Sequence, residues 1–190
     1  LSRDASKEEI LERINNNTIT DILNKIEVKA GDVVMVKAGT IHAIGAGVFI
    51  CEIQQNSNCT YRMYDYDRRD KFGNPRELHV KKALDVVDNH KYIKDNKTEV
   101  VIARNEHFTE ERLVQCKYFE VYKYDVNDEA KITVDEASFV SVLFINGSGT
   151  IETDDYEKTM EFKAGDSFFV SAGLRSIIIK GQATMVVTRV

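Results

Sequence analysis

KAGDVVMVKAGTIHAI, running from Lys29 to Ile44, returns as KAGDSFFVSAGLRSII from Lys163 to Ile178. Half of the aligned positions are identical: the opening Lys-Ala-Gly-Asp, one valine, a second Ala-Gly, and the closing isoleucine. Each copy reads as turn, strand, tight turn, strand. Gly31 and Gly165 permit the first turn, and Gly39 and Gly173 the second, where a positive φ is required. One supersecondary unit is used twice, so a fold that accepts one copy should accept the other.

Around this repeat the chain has the composition of a folded protein. Its 190 residues allow one large domain or two small ones. At 43% hydrophobic and 30% charged it is unlike a disordered chain. A net charge of -5, with no polybasic stretch, gives no pull toward nucleic acid or an acidic membrane. No apolar run approaches the roughly 18 residues of a membrane span. Cys51, Cys59 and Cys116 are an odd set without CxxC spacing, which argues for reduced thiols in a cytoplasmic protein.

Residues 1–27 form a helical preface. Ser6 and Glu9 have capping-box spacing, followed by Ile10, Leu11 and Ile14 on one face. Ile19, Ile22, Leu23 and Ile26 repeat the pattern as a second short helix. From Val28 the texture turns to short runs of Val, Ile, Phe and Tyr between Gly and Asn turns, the texture of an all-β protein. Asp67 to Glu77 is a charged loop containing the only proline, Pro75. His79 to Val87 reads as a short helix, 88–112 as a polar connector, and strands resume near Leu113.

The repeated unit resembles the second signature of the cupin superfamily, in which Gly, Gly and His stand at the spacing of Gly31, Gly39 and His42. Lys37 takes the place of the signature's proline. In the second copy Ser176 replaces the histidine, and serine is a poor zinc ligand beside imidazole or carboxylate. FINGSGTIE, Phe144 to Glu152, resembles the first cupin signature without its ligands, with Gly147 and Gly149 as its turn. The resemblance implies a mainly β double cupin: a helical preface at 1–27, part of a metal-binding first barrel with a loop and short helix at 28–95, and a metal-free second barrel at 96–190. The first barrel is incomplete at its amino terminus.

A longer stretch, GTIHAIGAGVFICEIQQNSNCTYRMYDYDRRDKFGNPRELHVKKALDV, resembles the type I mannose-6-phosphate isomerases. TYRMYDYDR and GNPRELH are far more specific than a cupin signature. The chains of that family are longer, and this sequence is similar to their carboxy-terminal portion. The resemblance implies zinc-dependent interconversion of mannose 6-phosphate and fructose 6-phosphate, with His42 as one zinc ligand and Arg62 as the catalytic arginine. The other ligands and the phosphate-binding residues of the family lie upstream of the matching region. Asn58 stands where the family has an aspartate, and an amide cannot serve as a general base.

Strand alternation extends this reading. Pairing 48–53 with 60–66 about Ser57 sets Glu52 opposite Arg62, pointing the same way, so that Glu52 orients the guanidinium or touches sugar hydroxyls. Tyr61, Tyr64 and Tyr66 read as packing. His79, His90 and His107 show no ligand spacing and read as surface or helix residues. The expected partner is a small sugar phosphate, with neither nucleic acid nor membrane, and an unfinished barrel edge favours a homodimer. A non-catalytic cupin that binds a sugar or a protein is the alternative; the loss of histidine at Ser176 and the Asn58 substitution fit it.

Overall fold

The computed structural model describes residues 1–57, 59–94, 100–154 and 159–190. They divide into two compact units, Leu1–Asp95 and Asn96–Val190.

The amino-terminal unit is built around isoleucines. Helix α1, Lys7–Asn15, begins as its capping box requires: Glu9 N donates to Ser6 Oγ at 3.1 Å. Acidic Glu8 and Glu9 lie in the first turn and Arg13 in the last, complementing the helix dipole. Ile10 and Ile14 are buried, while Leu11, expected on the same face, is exposed. The second expected helix is only a single 3-10 turn, Ile19–Ile22, after Asn17 turns the chain at φ 56°. That turn eclipses residues three apart, so Ile19 and Ile22 bury together, while Ile26 is exposed. Leu1, Ala5 and these four isoleucines form one cluster, with Ile41, Met63, Tyr64, Val80 and Leu84 packed on it. Each isoleucine contributes about 1.5–3 kcal/mol by burial, which outweighs the weak helix propensity of so short a segment. Helix α2 is Val80–Val86, with His79 at its N-cap.

Residues 28–66 depart from expectation. Among the described residues in that range none belongs to a strand, and the nearest pairing is a lone bridge between Arg69 and Pro75. The expected hairpin of 48–53 with 60–66, with Glu52 opposite Arg62, does not form. The sequence has β character, but a strand exists only when its N–H and C=O groups meet a ladder partner. The stretch instead runs between turns without a ladder partner among the described residues and is largely exposed, with Phe49 98% accessible.

The local turns of the repeat survive without the ladder. Gly31 and Gly165 both have φ 92°, and Gly39 and Gly173 have 84° and 79°. Asp32 Oδ2 accepts from Lys29 N at 3.0 Å, and Asp166 Oδ2 from Lys163 N at 2.9 Å. The two copies thus share their turns and differ in whether strands follow.

The carboxy-terminal unit is an antiparallel β-structure of eight strands among the described residues: β1 Val100–Arg104, β2 Phe108–Gln115, β3 Glu120–Val126, β4 Glu129–Val134, β5 Val140–Thr153, β6 Thr159–Lys163, β7 Ser167–Val170 and β8 Arg175–Arg189. Strands β1 and β2 occupy the region expected to be a polar connector. Side-chain pairs across the ladder hold the charged sequence FTEERLVQ in the sheet: Lys123 Nζ lies 3.3 Å from Glu111 Oε2, and Tyr124 OH donates to Glu110 Oε1 at 2.6 Å.

Strands β5 and β8 pair from Val140–Arg189 to Thr153–Ile177. Half of β8 also pairs with β3 and half with β4; β5 divides likewise between β7 and β6. This division lets one sheet fold over on itself around a common core. Gly149 sits directly opposite Gly181 in the β5–β8 ladder. A Cβ on Gly147 would lie 1.9 Å from Gln182 O, and one on Gly149 would lie 2.0 Å from Lys180 O. Gly147 and Gly149, expected to form a turn, lie instead in mid-strand, where β5 approaches its partner β8 too closely for side chains. The interior is apolar: Phe144 stacks on Phe162 at 3.7 Å between ring centroids, with Ile132, Ile177, Ile179 and Met185 fully buried around them.

Candidate active site

His42 follows the second turn of the first repeat. Thr40 N donates to Lys37 O at 3.1 Å, and Asp88 N to Gly39 O at 2.9 Å, so the turn is held against the end of α2. The approach is close: a Cβ on Gly39 would stand 2.7 Å from Val86 O. His42 Nδ1 lies 2.9 Å from Thr40 O. A carbonyl only accepts, so Nδ1 carries the proton and Nε2 keeps its lone pair. The ring is exposed. A backbone carbonyl on one nitrogen and a free lone pair on the other is the arrangement of a metal-binding imidazole.

Arg62 is half-buried and gripped from one side by residues 77–79. His79 N donates to Arg62 O at 2.6 Å, and Arg62 N donates to His79 Nδ1 at 3.2 Å. The guanidinium donates to Glu77 O at 3.1 Å. Just beyond, Asp65 is buried and takes a two-pronged pair from Arg76, with Nε at 2.7 Å from Oδ2. The Arg76 hydrogen bond holds the Asp65 carboxyl below its usual pKa. The charged loop 67–77 is therefore tied down at its base; within it, Asp70 Oδ1 accepts from Phe72 N and Asn74 N.

Glu52 is exposed. No hydrogen bond or ion pair joins His42, Glu52 and Arg62 to one another among the described residues. Asn58 lies outside the described residues. Nothing in the sequence marked Asp65, Arg76 and His79 as belonging with Arg62. Their shared motif, TYRMYDYDR followed by GNPRELH, is the one signal that could have joined them.

The donor set can be tested against zinc directly. No group of three or more His, Cys, Asp or Glu side chains suited to a metal occurs among the described residues. One imidazole does not hold zinc, which takes three or four protein donors. His42 fits as a single ligand and no more; the described residues do not make a complete site. In the second repeat, Ser176 stands at the matching position and is 1% exposed. It lies on the face of β8 opposite Ile177, and its hydroxyl donates to Asp154, which also pairs with Lys131 at 3.0 Å. The hydrogen bond from Ser176 and then that from Lys131 lower the Asp154 pKa. Ser176 is thus a buried hydroxyl whose hydrogen bond goes to the Asp154 carboxylate.

A twice-used glycine-turn unit and a folded-over antiparallel sheet with an apolar interior define a cupin. A family model described as the cupin domain of mannose-6-phosphate isomerase matches residues 109–190. YvyI of Bacillus subtilis (strain 168) is 41% identical over 97% of this chain and 57% of its own length. Mannose-6-phosphate isomerase ManA of the same strain is 33% identical over 96% of this chain and 56% of its own. The crystal structure of the mannose 6-phosphate isomerase from Bacillus subtilis superposes with a TM-score of 0.87 at 38% identity, covering 99% of this chain and 58% of that one. The chain belongs to the mannose-6-phosphate isomerase family. It spans little more than half the length of the relatives it matches.

Proposed function

We propose that the protein containing this chain is a mannose-6-phosphate isomerase that interconverts mannose 6-phosphate and fructose 6-phosphate in the cytoplasm. The observation that carries the proposal is the pair of prepared side chains in one unit of this family member: His42 with its Nε2 lone pair free, and Arg62 clamped by residues 77–79. Three free thiols support a reducing compartment.

The reaction moves a proton from C2 of the open-chain aldose to C1 through an enediol, with no net oxidation. It needs a base, a group that stabilises negative oxygen, and a means of holding the sugar. Arg62 takes the second part: a guanidinium donates hydrogen bonds to a developing enediolate without losing its own proton. The hydrogen bond to Glu77 O uses one of its donors and leaves the others for substrate. Glu52, which is exposed, is proposed to contact sugar hydroxyls. A zinc ion, held by His42 together with donors outside the described residues, would polarise and position the sugar oxygens.

A coupled assay of the 190-residue chain beside the full-length protein tests this reading. The full-length protein is expected to turn over mannose 6-phosphate, and the chain alone is not, because one imidazole cannot retain the metal. Robust zinc-dependent turnover by the chain alone would contradict the account of its site. An inert full-length protein that still bound a sugar would favour a non-catalytic cupin. Residues 28–66 expose Val34, Ile44, Phe49 and Ile50, which supports self-association of the chain. Sedimentation should show a concentration-dependent dimer.

A further inference from the structure

We propose that His79 is a positioning residue for Arg62: its imidazole accepts the Arg62 main-chain N–H and fixes the residue from which the guanidinium projects. This rests on the isomerase reading, in which Arg62 touches the substrate. An extended residue presents its N–H and C=O to the same neighbour, and a sheet would satisfy both from main chain. Here the C=O of Arg62 takes the His79 N–H at 2.6 Å, but its N–H goes to the His79 side chain at 3.2 Å. With Nδ1 accepting, the ring carries its proton on Nε2, 4.0 Å from Glu77 Oε1. The same short segment thus holds Arg62 at three points: N–H, C=O and, through Glu77 O, the guanidinium.

The imidazole's part in this can be separated from its residue's part in the fold. His79 begins α2 through its main-chain carbonyl, which accepts from Ala83 N at 2.9 Å, and any residue at that position keeps this bond. The side chain is half-buried, and its ring lies 6.4 Å from that of Tyr61. The segment is anchored independently by the Asp65–Arg76 pair, so losing the imidazole removes one of the three holds on Arg62 without releasing the loop.

The test is steady-state kinetics on the full-length protein carrying His79→Leu, His79→Asn and His79→Gln, each also in an Arg62→Ala background. Asparagine places an acceptor near the Nδ1 position; glutamine places one near Nε2, where it does not meet the Arg62 N–H. His79→Leu and His79→Gln are expected to lower kcat roughly 10-fold or more with KM changed less than about 3-fold, since a misplaced catalytic group costs the chemical step. His79→Asn should stay within about 3-fold of the parent kcat. In the Arg62→Ala background His79→Leu should change the residual kcat less than about 2-fold, because residues acting as a unit are not additive. Equal losses in the Asn, Gln and Leu variants, or an undiminished His79→Leu effect without Arg62, would overturn the positioning role. Should the Leu variant fail to fold, the Asn–Gln comparison decides alone. Parent-like His79→Leu beside an inactive Arg62→Ala would overturn this inference only; full activity in Arg62→Ala would overturn the catalytic role of Arg62 and this inference with it, and a parent protein without isomerase activity would overturn the isomerase reading.

Discussion

His107 and Asp128 show how much a single residue pair in this protein depends on the chain meeting itself at a distance. His107 Nδ1 lies 2.9 and 3.0 Å from the two Asp128 oxygens, tying the β1–β2 turn to the β3–β4 turn. The hydrogen bond and charge of Asp128 raise the His107 pKa above 6.5, and the same bond lowers that of Asp128 below 3.8. A raised histidine pKa stabilises the fold fully below its unfolded value and loses that contribution as pH rises through the folded value. A lowered aspartate pKa does the reverse, acting above its unfolded value and fading on acidification. The pair therefore helps most between the two ordinary values. The melting temperature of the parent should exceed that of Asp128→Asn in that window, and the gap should close at alkaline pH; a gap independent of pH would contradict the pairing. Neither this contact nor the Arg62–His79 bond was legible in the sequence. Spacing reveals partners along one helix or strand, and these partners come from segments joined only by folding. By contrast, the Ser6–Glu9 cap is local, and its spacing alone foretold it.

At the scale of elements, glycines in this chain act for different reasons, and substitution separates them. Gly165 needs its positive φ, and a Cβ there would meet nothing within 4 Å. Gly149 has no such φ but would drive a Cβ to within 2.0 Å of Lys180 O. Gly165→Ala should cost about 1 kcal/mol from backbone strain. Gly149→Ala should cost more, about 1–3 kcal/mol or above, because the close approach of β5 to β8 must open. Urea unfolding of both variants checks the order, and equal costs would contradict the close approach. In sequence, Gly147 and Gly149 look like a turn because closely spaced glycines commonly mark one. What places them in mid-strand is β8 with Gly181 opposite Gly149, far along the chain. The same reasoning explains β2, whose charged residues hid its strand character until Lys123 and Tyr124 of β3 were set opposite them.

At the scale of the whole molecule, the two repeats share turn geometry but not strand pairing. The Lys-Ala-Gly-Asp turns were legible because they are closed by Asp32 and Asp166 within four residues. The ladders were not, because a ladder depends on which other segments are present. Among the described residues only the second copy finds them, on β4, β5 and their neighbours. Limited proteolysis of the 190-residue chain should therefore cut first within 28–66, around exposed Phe49, and leave a resistant fragment containing β1 to β8. Early cleavage within β5 or β8 would contradict this division.

The central claim is that His42 belongs to a metal site in the complete isomerase. Zinc content of the full-length protein and of its His42→Ala variant, measured on purified and dialysed samples, tests it most directly. The account expects roughly one zinc per parent chain and a severalfold loss in the variant, whose unfolding should remain cooperative. Equal zinc in both, or none in an active parent, would contradict it.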